Sequence, residues 1–306
     1  MKILVIGGGG QLGTKIVEQA RKIHFLHATY MTRKPRLEET RIHHADKTNR
    51  DTIQSLIRRL KPDAVIDTAA IHNVDYCETH REEAYRVNVE GTRNIAEVCG
   101  SLGAKMVFIS TDYVFDGKKG LYKETDPANP VNYYGQSKLE GEKAVREACE
   151  NYVIARTSVI YSWVSASTLQ SSSGKPLNFA MWLTQKLGKG EHVNIVTDQY
   201  SSPTLADSLA ETLIKACKQD VTGLYHIAGK TRISRYDFTL KLAEKMGYDK
   251  SLIHPISSSS LKQVAKRPMD SSLDVGKIER TLGVTMLNID EALTIFSKQA
   301  KEGTIR

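Results

Sequence analysis

A tyrosine and a lysine stand four residues apart in the segment Tyr134-Gly135-Gln136-Ser137-Lys138. If this segment is helical, one turn brings positions i and i+4 onto the same face. A phenol with a pKa of about 10 is a poor acid–base group at neutral pH, and a neighbouring ammonium lowers that pKa by stabilising the phenolate. Such a pair can deliver a proton to a carbonyl oxygen while a hydride reaches the carbon. The adjacent Tyr133 is five residues from Lys138 and points elsewhere, so Tyr134 is the better candidate.

A second polar cluster, Ser110-Thr111-Asp112-Tyr113, ends an apolar run that begins at residue 105. Ligands of open α/β sheets bind at the carboxyl ends of the strands. Thr111 is therefore placed where it could hold a substrate carbonyl.

A glycine-rich turn lies close to the N-terminus. Gly7, Gly10 and Gly13 have the spacing GxxGxxG, with Gln11 and Leu12 between the last two, after a predicted strand and at the start of a predicted helix. Such a turn bends tightly, lets the backbone approach a pyrophosphate and packs the helix closely on the strand. Free N–H groups and the positive end of the helix dipole then face the phosphates. The pattern predicts a dinucleotide site.

The residues after the second predicted strand bear on which dinucleotide is bound. An acidic residue there favours NAD, whereas basic residues accommodate the 2′-phosphate of NADP. Here Arg33 and Lys34 follow the strand, and the first acid is Glu38. NADP is favoured, but the two cations can equally be solvated loop residues, which leaves NAD open.

The elements that must position these groups alternate along the first half of the chain. Short apolar runs at 2–6, 25–30, 41–45, 64–68, 105–110 and 152–156 are separated by helical stretches at about 11–22, 51–60, 81–102 and 134–149. Short apolar strands joined by helical crossovers predict an α/β fold with a doubly wound parallel sheet, of the Rossmann type.

The second half is less regular. Helical stretches are predicted at about 178–187, 205–218 and 236–246, and a strand at 223–228 that returns to the sheet. We therefore expect a dinucleotide-binding domain at 1–158 and about 199–229, with a smaller, interleaved substrate-binding domain at 159–198 and 230–306. The serine-rich segments 165–174 and 257–260 are predicted to be mobile loops.

Composition excludes several classes of protein. The chain has 306 residues and a formal net charge of +8, but its basic residues are scattered, which argues against a nucleic-acid binder. No apolar run approaches the roughly 18 residues of a membrane span. The four cysteines form no CxxC pair and the histidines have no metal-site spacing, so no metal is expected. These features predict a cytoplasmic protein.

Taken together, the motifs resemble the extended short-chain dehydrogenase/reductases and, more narrowly, the dTDP-4-dehydrorhamnose reductase family. Besides the three motifs above, the matching segments are 67–70, 74–75, Asn88 with 91–92, 122–126, 132–138 with 141–142, 156–158, 178–180, 198–199, 203–204 and 267–268. The resemblance implies reduction of the 4-keto group of a nucleotide-bound deoxysugar by NADPH or NADH.

The resemblance also implies roles for individual residues. Thr111 would hydrogen-bond the 4-keto oxygen, Tyr134 would donate the proton, and Lys138 would tune Tyr134 and hold the nicotinamide ribose. The remaining positions are Asp46 near adenine, Ala69 and Ala70 along the cofactor, Asp112 and Tyr113 in the sugar pocket, and Asn178 and Arg267 at the substrate diphosphate.

One departure and two alternatives remain. The family commonly has a tryptophan after the Arg-Thr-Ser segment, whereas Val159 stands there and Trp163 follows four residues later, so the sugar is left open. A related reductase or a sugar-nucleotide epimerase is one alternative. The other is a regulatory subunit like that of methionine adenosyltransferase, which acts by binding a partner. Dimers are common in the superfamily, which leaves a homodimer open.

Overall fold

The apolar runs form the strands of one parallel sheet. In the computed structural model, which describes residues 1–35, 41–164 and 178–304, seven strands pair in the order β11-β6-β5-β4-β1-β2-β3. The strands are β1 (Lys2–Ile6), β2 (Phe25–Tyr30), β3 (Arg41–His44), β4 (Ala64–Asp67), β5 (Lys105–Thr111), β6 (Tyr152–Thr157) and β11 (Gly223–His226). The order runs outward on both sides of β1 and β4, so the predicted doubly wound sheet is confirmed.

Helices cover both faces of this sheet, and further helices lie apart from it. The helices of the described residues are α1 (Gln11–Ala20), α2 (Arg50–Leu60), α3 (Val74–Thr79), α4 (Arg81–Tyr85), α5 (Gly91–Leu102), α6 (Tyr133–Ala148), α7 (Phe179–Gly188), α8 (Ala206–Lys218), α9 (Arg235–Met246), α10 (Gly276–Leu282) and α11 (Ile289–Thr304). One buried apolar cluster lies between the sheet and α1, α8 and α10, and a second between the sheet and α2, α5 and α6. With both faces buried, β5 has all seven residues buried.

A third apolar cluster lies apart from the sheet. It joins α7, α9 and α11 with short strands, including Leu183, Phe238 and Phe296. The short strands are β7 (Ile160–Tyr161), β8 (Val193–Val196), β9 (Tyr200–Ser201), β10 (Thr204–Leu205), β12 (Ile233–Ser234) and β13 (Ile253–Ile256), paired as β10-β7, β12-β9 and β13-β8. The division of the chain into two interleaved domains stays a prediction.

The helix predicted over 81–102 is interrupted. A π-helical turn, Arg86–Glu90, separates α4 from α5. Within it the Asn88 side chain turns inward, where its Nδ2 donates to the Ile71 carbonyl and to Ser137 Oγ and its Oδ1 accepts from the Ile71 N–H. The extra residue in the turn therefore lets one buried amide link the loop after β4 to α6.

Of the two serine-rich segments, 165–174 lies outside the described residues. The other forms a 3₁₀ turn at Ser258–Ser260, where Ser258 donates from both its N–H and its hydroxyl to Asp198. Across the described residues, none of the helices has the length and apolarity to cross a membrane.

Candidate active site

The helix that carries Tyr134 and Lys138 begins at Tyr133. Asn132 caps it, because its Oδ1 accepts from the Gly135 N–H at 2.9 Å. A Cβ on Gly135 would lie 2.0 Å from the Tyr113 carbonyl oxygen, so glycine allows this end of the helix to rest on the loop after β5. Tyr134 and Lys138 thus come next to the end of that strand.

Thr111 is the last residue of β5 and is buried. Its hydroxyl donates to Asp112 Oδ1 at 3.0 Å and accepts from the Tyr113 N–H at 3.2 Å. Burial raises the pKa of Tyr134 above its ordinary value, and the nearby Thr111 hydroxyl opposes this only in part. The expectation that the pKa of Tyr134 would be lowered is therefore wrong in this structure.

Lys138, the predicted partner of Tyr134, is itself only 2% exposed. Its Nζ sits 4.0 Å from the centre of the Phe108 ring. Burial, with repulsion from the Lys47 ammonium, lowers the pKa of Lys138 to about 7. An amine that is only partly charged at neutral pH stabilises a neighbouring phenolate less than a permanent ammonium does.

Asp112 and Tyr113 take different positions. The Asp112 carboxylate is buried and accepts hydroxyl protons from Thr111, Ser158 and Ser271, the last two at 2.7 and 2.5 Å on Oδ2. Burial raises its pKa. Asp112 therefore orients the Thr111 hydroxyl through a hydrogen bond. The Tyr113 ring lies edge-on to the Tyr134 ring, with 6.0 Å between centroids.

The two residues predicted for the substrate diphosphate already have partners. The Asn178 Oδ1 accepts from the Met181 N–H and its Nδ2 donates to the Ser162 carbonyl, so the side chain caps α7. The Arg267 guanidinium is paired with Asp75 Oδ2 at 3.0 Å and is 10% exposed. Their roles stay predictions.

The glycine turn lies at the N-terminus of α1, beside the same sheet edge. Gly7 has φ +82°, which favours glycine, and its carbonyl accepts from the Gly10 N–H at 3.0 Å. A Cβ on Gly13 would lie 2.2 Å from the Gly7 oxygen, so the helix must approach the strand through a glycine.

The turn fits a dinucleotide pyrophosphate. Gly10 is exposed and caps α1 without a side-chain hydrogen bond, and the first turn of the helix holds no acid. Beside it the Gln11 Nε2 is buried without a hydrogen-bond partner, and Leu12 is buried against the sheet. A phosphate at this point would meet free N–H donors and the positive end of the helix dipole.

The other predicted cofactor residues follow neighbouring strands. Lys34 is exposed, and the Arg33 carbonyl oxygen packs against Gly9, where a Cβ would lie 2.1 Å from it. Asp46 comes after β3 and accepts from the Thr48 N–H. Ala69 and Ala70 come after β4 and are partly buried. All of these loops leave the carboxyl ends of adjacent parallel strands and therefore meet at one edge.

A family model described as the RmlD substrate binding domain matches residues 1–301. The chain belongs to this family.

Relatives and solved structures agree with this assignment. The chain is 32% identical to the probable low-salt glycan biosynthesis reductase Agl14 of Haloferax volcanii, over 96% of each chain. It is 31% identical to a dTDP-4-dehydrorhamnose reductase of Sinorhizobium fredii, over 95% of each. The crystal structure of the Bacillus anthracis dTDP-4-dehydrorhamnose reductase in complex with NADP superposes with a TM-score of 0.83 and 28% identity, covering 96% of this chain and 98% of that one. The family resemblance inferred from the motifs is confirmed.

The regulatory alternative also has a relative. The methionine adenosyltransferase 2 subunit beta of Bos taurus is 28% identical over 92% of this chain and 83% of its own length.

Val159, which stands where a tryptophan was expected, has an unusual backbone conformation. Val159 has φ +40°, a conformation that β-branched residues rarely adopt, at the step between β6 and β7. Trp163 packs edge-on to Phe296, with 5.9 Å between centroids, and belongs to the third apolar cluster. Its indole is therefore part of the packing between β7 and α11.

Sequence reasoning missed two residues of the site. The guanidinium of Arg235, the first residue of α9, lies 4.8 Å from the Phe179 ring centre, and its charge opposes the burial that raises the pKa of Tyr113. Lys47, next to Asp46, is buried behind the cofactor loops. Neither residue stands in a motif. The one sequence signal near Arg235 is Ser234-x-x-Asp237, which marks the start of a helix.

Proposed function

We propose that this protein reduces the 4-keto group of a nucleotide-bound deoxysugar, dTDP-4-dehydrorhamnose, with NADPH. The observation that carries the proposal is that Thr111 ends β5 next to the start of the helix that carries Tyr134 and Lys138, at the sheet edge where the glycine turn also lies. Its support includes the names of the curated relatives and the NADP held by the Bacillus anthracis structure. Arg33 and Lys34 would receive the 2′-phosphate, and Asp46, Ala69 and Ala70 would line the adenine and nicotinamide ends.

The chemistry divides between cofactor and protein. Reduced nicotinamide, when bound, supplies a hydride to C4 of the sugar. The Tyr134 hydroxyl gives its proton to the 4-oxygen, which becomes the new hydroxyl group. A raised pKa keeps Tyr134 protonated until that oxygen gains charge, which suits a proton donor. Thr111 reaches the same oxygen if its hydroxyl proton rotates away from Asp112.

Two guanidinium groups place positive charge near Tyr113, which is predicted to line the sugar site. Arg267 and Arg235 both lower the pKa of Tyr113 by their charge, although burial raises it overall. Arg267 has a carboxylate partner, Asp75. Among the ion pairs of the described residues none involves Arg235. We assign Arg235 to the negatively charged part of the nucleotide sugar, since a partly buried cation gains most from an anionic ligand.

The test compares two adjacent tyrosines. Tyr134→Phe should lower kcat about 10²- to 10⁴-fold with dTDP-4-dehydrorhamnose, because a general acid contributes about that much. The Kd for NADPH should change little. Tyr133→Phe is the matched control, because the Tyr133 ring faces the Arg81 guanidinium, 5.0 Å from its centre, and should keep wild-type kcat. Equal rates for Tyr134→Phe and wild type would remove Tyr134 as the proton donor.

The wild-type protein separates this proposal from its alternatives. A reductase oxidises NADPH in proportion to the keto-sugar nucleotide consumed. An epimerase retains NAD through purification and consumes no NADPH. Capture of a methionine adenosyltransferase, without turnover of any 4-keto-sugar nucleotide, would favour the regulatory alternative that the bovine relative raises. The cytoplasmic location and the homodimer stay predictions.

A further inference from the structure

A buried ion pair lies behind the cofactor loops and outside the catalytic trio. The Lys47 Nζ is 2.6 Å from Asp67 Oδ2, and the two side chains are 4% and 0% exposed. The same ammonium donates to the Ala69 carbonyl at 2.8 Å and to Thr92 Oγ1 at 3.1 Å. Its three protons therefore have three acceptors, and Asp67 Oδ1 also accepts from the Ala69 N–H at 3.1 Å.

The surroundings are shaped for this lysine. A Cβ on Gly91 would lie 2.8 Å from Lys47 Cε, so α5 can begin here only with a glycine unless the lysine moves. The Lys47 backbone is held as well, because its carbonyl accepts from Asn94 Nδ2 at 3.1 Å. Burying two charges is expensive unless each is fully hydrogen-bonded, and this pair meets that condition.

The pair connects the cofactor groove to the catalytic lysine. On one side, Lys47 follows Asp46 and binds the Ala69 carbonyl, so it ties together two loops assigned to the cofactor. On the other side, Asp67 of β4 is in register with Phe108 of β5, and the Phe108 ring lies against the Lys138 Nζ. Cross-strand neighbours in register lie about 5 Å apart.

We propose that Lys47 and Asp67 are positioning residues: their ion pair fixes the Ala69 loop along the cofactor and sets the electrostatic field at the Lys138 amine. Neither side chain touches the reacting atoms. The inference rests on the proposed function, because it takes Lys138 as the partner of Tyr134.

Four titratable groups near Lys138 affect its pKa. The Lys47 ammonium lowers the pKa of Lys138, whereas the Asp67 and Glu142 carboxylates raise it. Glu142 is itself held by Arg156 at 2.8 Å and by Arg146. The Cys77 thiol is neutral near pH 7, since burial raises its pKa to about 12. Loss of the Lys47 charge and loss of the Asp67 charge should therefore shift the pKa of Lys138 in opposite directions.

The experiment measures the pKa of Lys138 by NMR in the full-length protein without cofactor, using reductively ¹³C-methylated lysines and Lys138→Arg to assign the signal. Lys47→Met should raise this pKa and Asp67→Asn should lower it, each by about one unit for a charge at this range in a buried site. Lys15→Met is the matched control, because Lys15 forms a different ion pair, with Asp207 at 3.0 Å. The Lys138 signal should not move in that control.

If a single variant fails to fold, the double variant Lys47→Met/Asp67→Asn can still be measured. It should fold more readily because it leaves no buried charge without a partner. Its Lys138 pKa should lie between those expected for the single variants. It should bind NADPH, followed by nucleotide fluorescence, about 10-fold more weakly, because one charge-assisted bond to the Ala69 loop is worth roughly 1.5 kcal/mol or more. Shifts of the same sign in both single variants, or wild-type NADPH affinity in the double variant, would overturn the proposal. The pKa measurement needs no sugar nucleotide, so it decides this inference even if the reductase proposal fails.

Discussion

At the scale of single residues, the site depends on which charged groups already have partners. Arg267 was, with Asn178, a sequence candidate for the substrate diphosphate, but its guanidinium pairs with Asp75 and donates to the Ala265 carbonyl. Arg235 lies over the Phe179 ring, and it belongs to none of the ion pairs among the described residues. Of the two, Arg235 has more to gain from an anionic substrate.

Substitution of Arg235 by glutamine should therefore weaken substrate binding and spare the chemistry. We expect KM for the sugar nucleotide to rise about 10-fold or more, as loss of a charge-assisted hydrogen bond of roughly 1.5–3 kcal/mol implies. The kcat value and the Kd for NADPH should stay within about 2-fold of wild type. Steady-state kinetics measure KM and kcat, and fluorescence titration measures the Kd for NADPH.

Lys241→Gln is the control for Arg235→Gln. Lys241 lies on the same helix, α9, but pairs with Asp290 at the surface. A change in KM for Lys241→Gln as large as that for Arg235→Gln would mean that net charge, and not contact with the substrate, is responsible.

At the scale of elements, the glycine turn combines two separate demands. Gly13 allows α1 to pack on β1, because a Cβ there would lie 2.2 Å from the Gly7 oxygen. Gly10 faces the groove, and a Cβ there would meet the Gly7 oxygen at 3.3 Å, with no other heavy atom within 4 Å. Gly13 therefore permits packing, and Gly10 leaves the backbone N–H groups accessible.

Alanine at these two positions should separate stability from binding. Gly13→Ala should lower the free energy of unfolding by about 1–3 kcal/mol, the usual cost of overpacking. Gly10→Ala should cost less than about 1 kcal/mol and yet weaken NADPH binding by about 10-fold or more, since the methyl group occupies space that the pyrophosphate needs. Urea denaturation and fluorescence titration measure the two effects. Stable Gly13→Ala protein with unchanged Gly10→Ala affinity would contradict this division.

At the scale of the whole molecule, His226 joins parts of the chain that are distant in sequence. It ends β11 at the edge of the sheet, its N–H donates to Glu124 Oε1, and its Nδ1 lies 3.2 Å from the Asp274 carbonyl oxygen. Its side chain is fully buried and packs edge-on to Phe115. Burial, with repulsion from Arg156, lowers its pKa to about 4.

This lowered pKa predicts acid sensitivity of folding. The unfolded chain binds the proton near pH 6.5 and the folded chain near pH 4, so the stability contributed by neutral His226 is complete above pH 6.5 and is lost as the pH falls toward 4. By pH 5 the loss should be about 2 kcal/mol. Urea denaturation measures the free energy of unfolding at pH 7 and at pH 5. The decrease between these two pH values should be smaller for His226→Asn than for wild type. An equal difference for His226→Asn and for wild type would contradict this prediction.

The local pattern of the sequence was sufficient to predict the parallel sheet and the helices that cover it. Apolar runs of strand length, separated by amphipathic helices, predict the parallel sheet, because both faces of such strands must be buried. The glycine spacing and the interval between Tyr134 and Lys138 predict a cofactor turn and a helical pair, since both depend on a few adjacent residues. The family assignment that these motifs suggested is confirmed.

The tertiary structure decided what depends on distance through space. Lys47 and Arg235 gain their places from contacts with residues 20 or more positions away, which no local pattern encodes. The direction of the Tyr134 pKa shift was also beyond local reasoning, because the burial that raises this pKa is set by how α6 packs on β5. Sequence spacing determines which groups share a face, and packing determines their solvation and their charge.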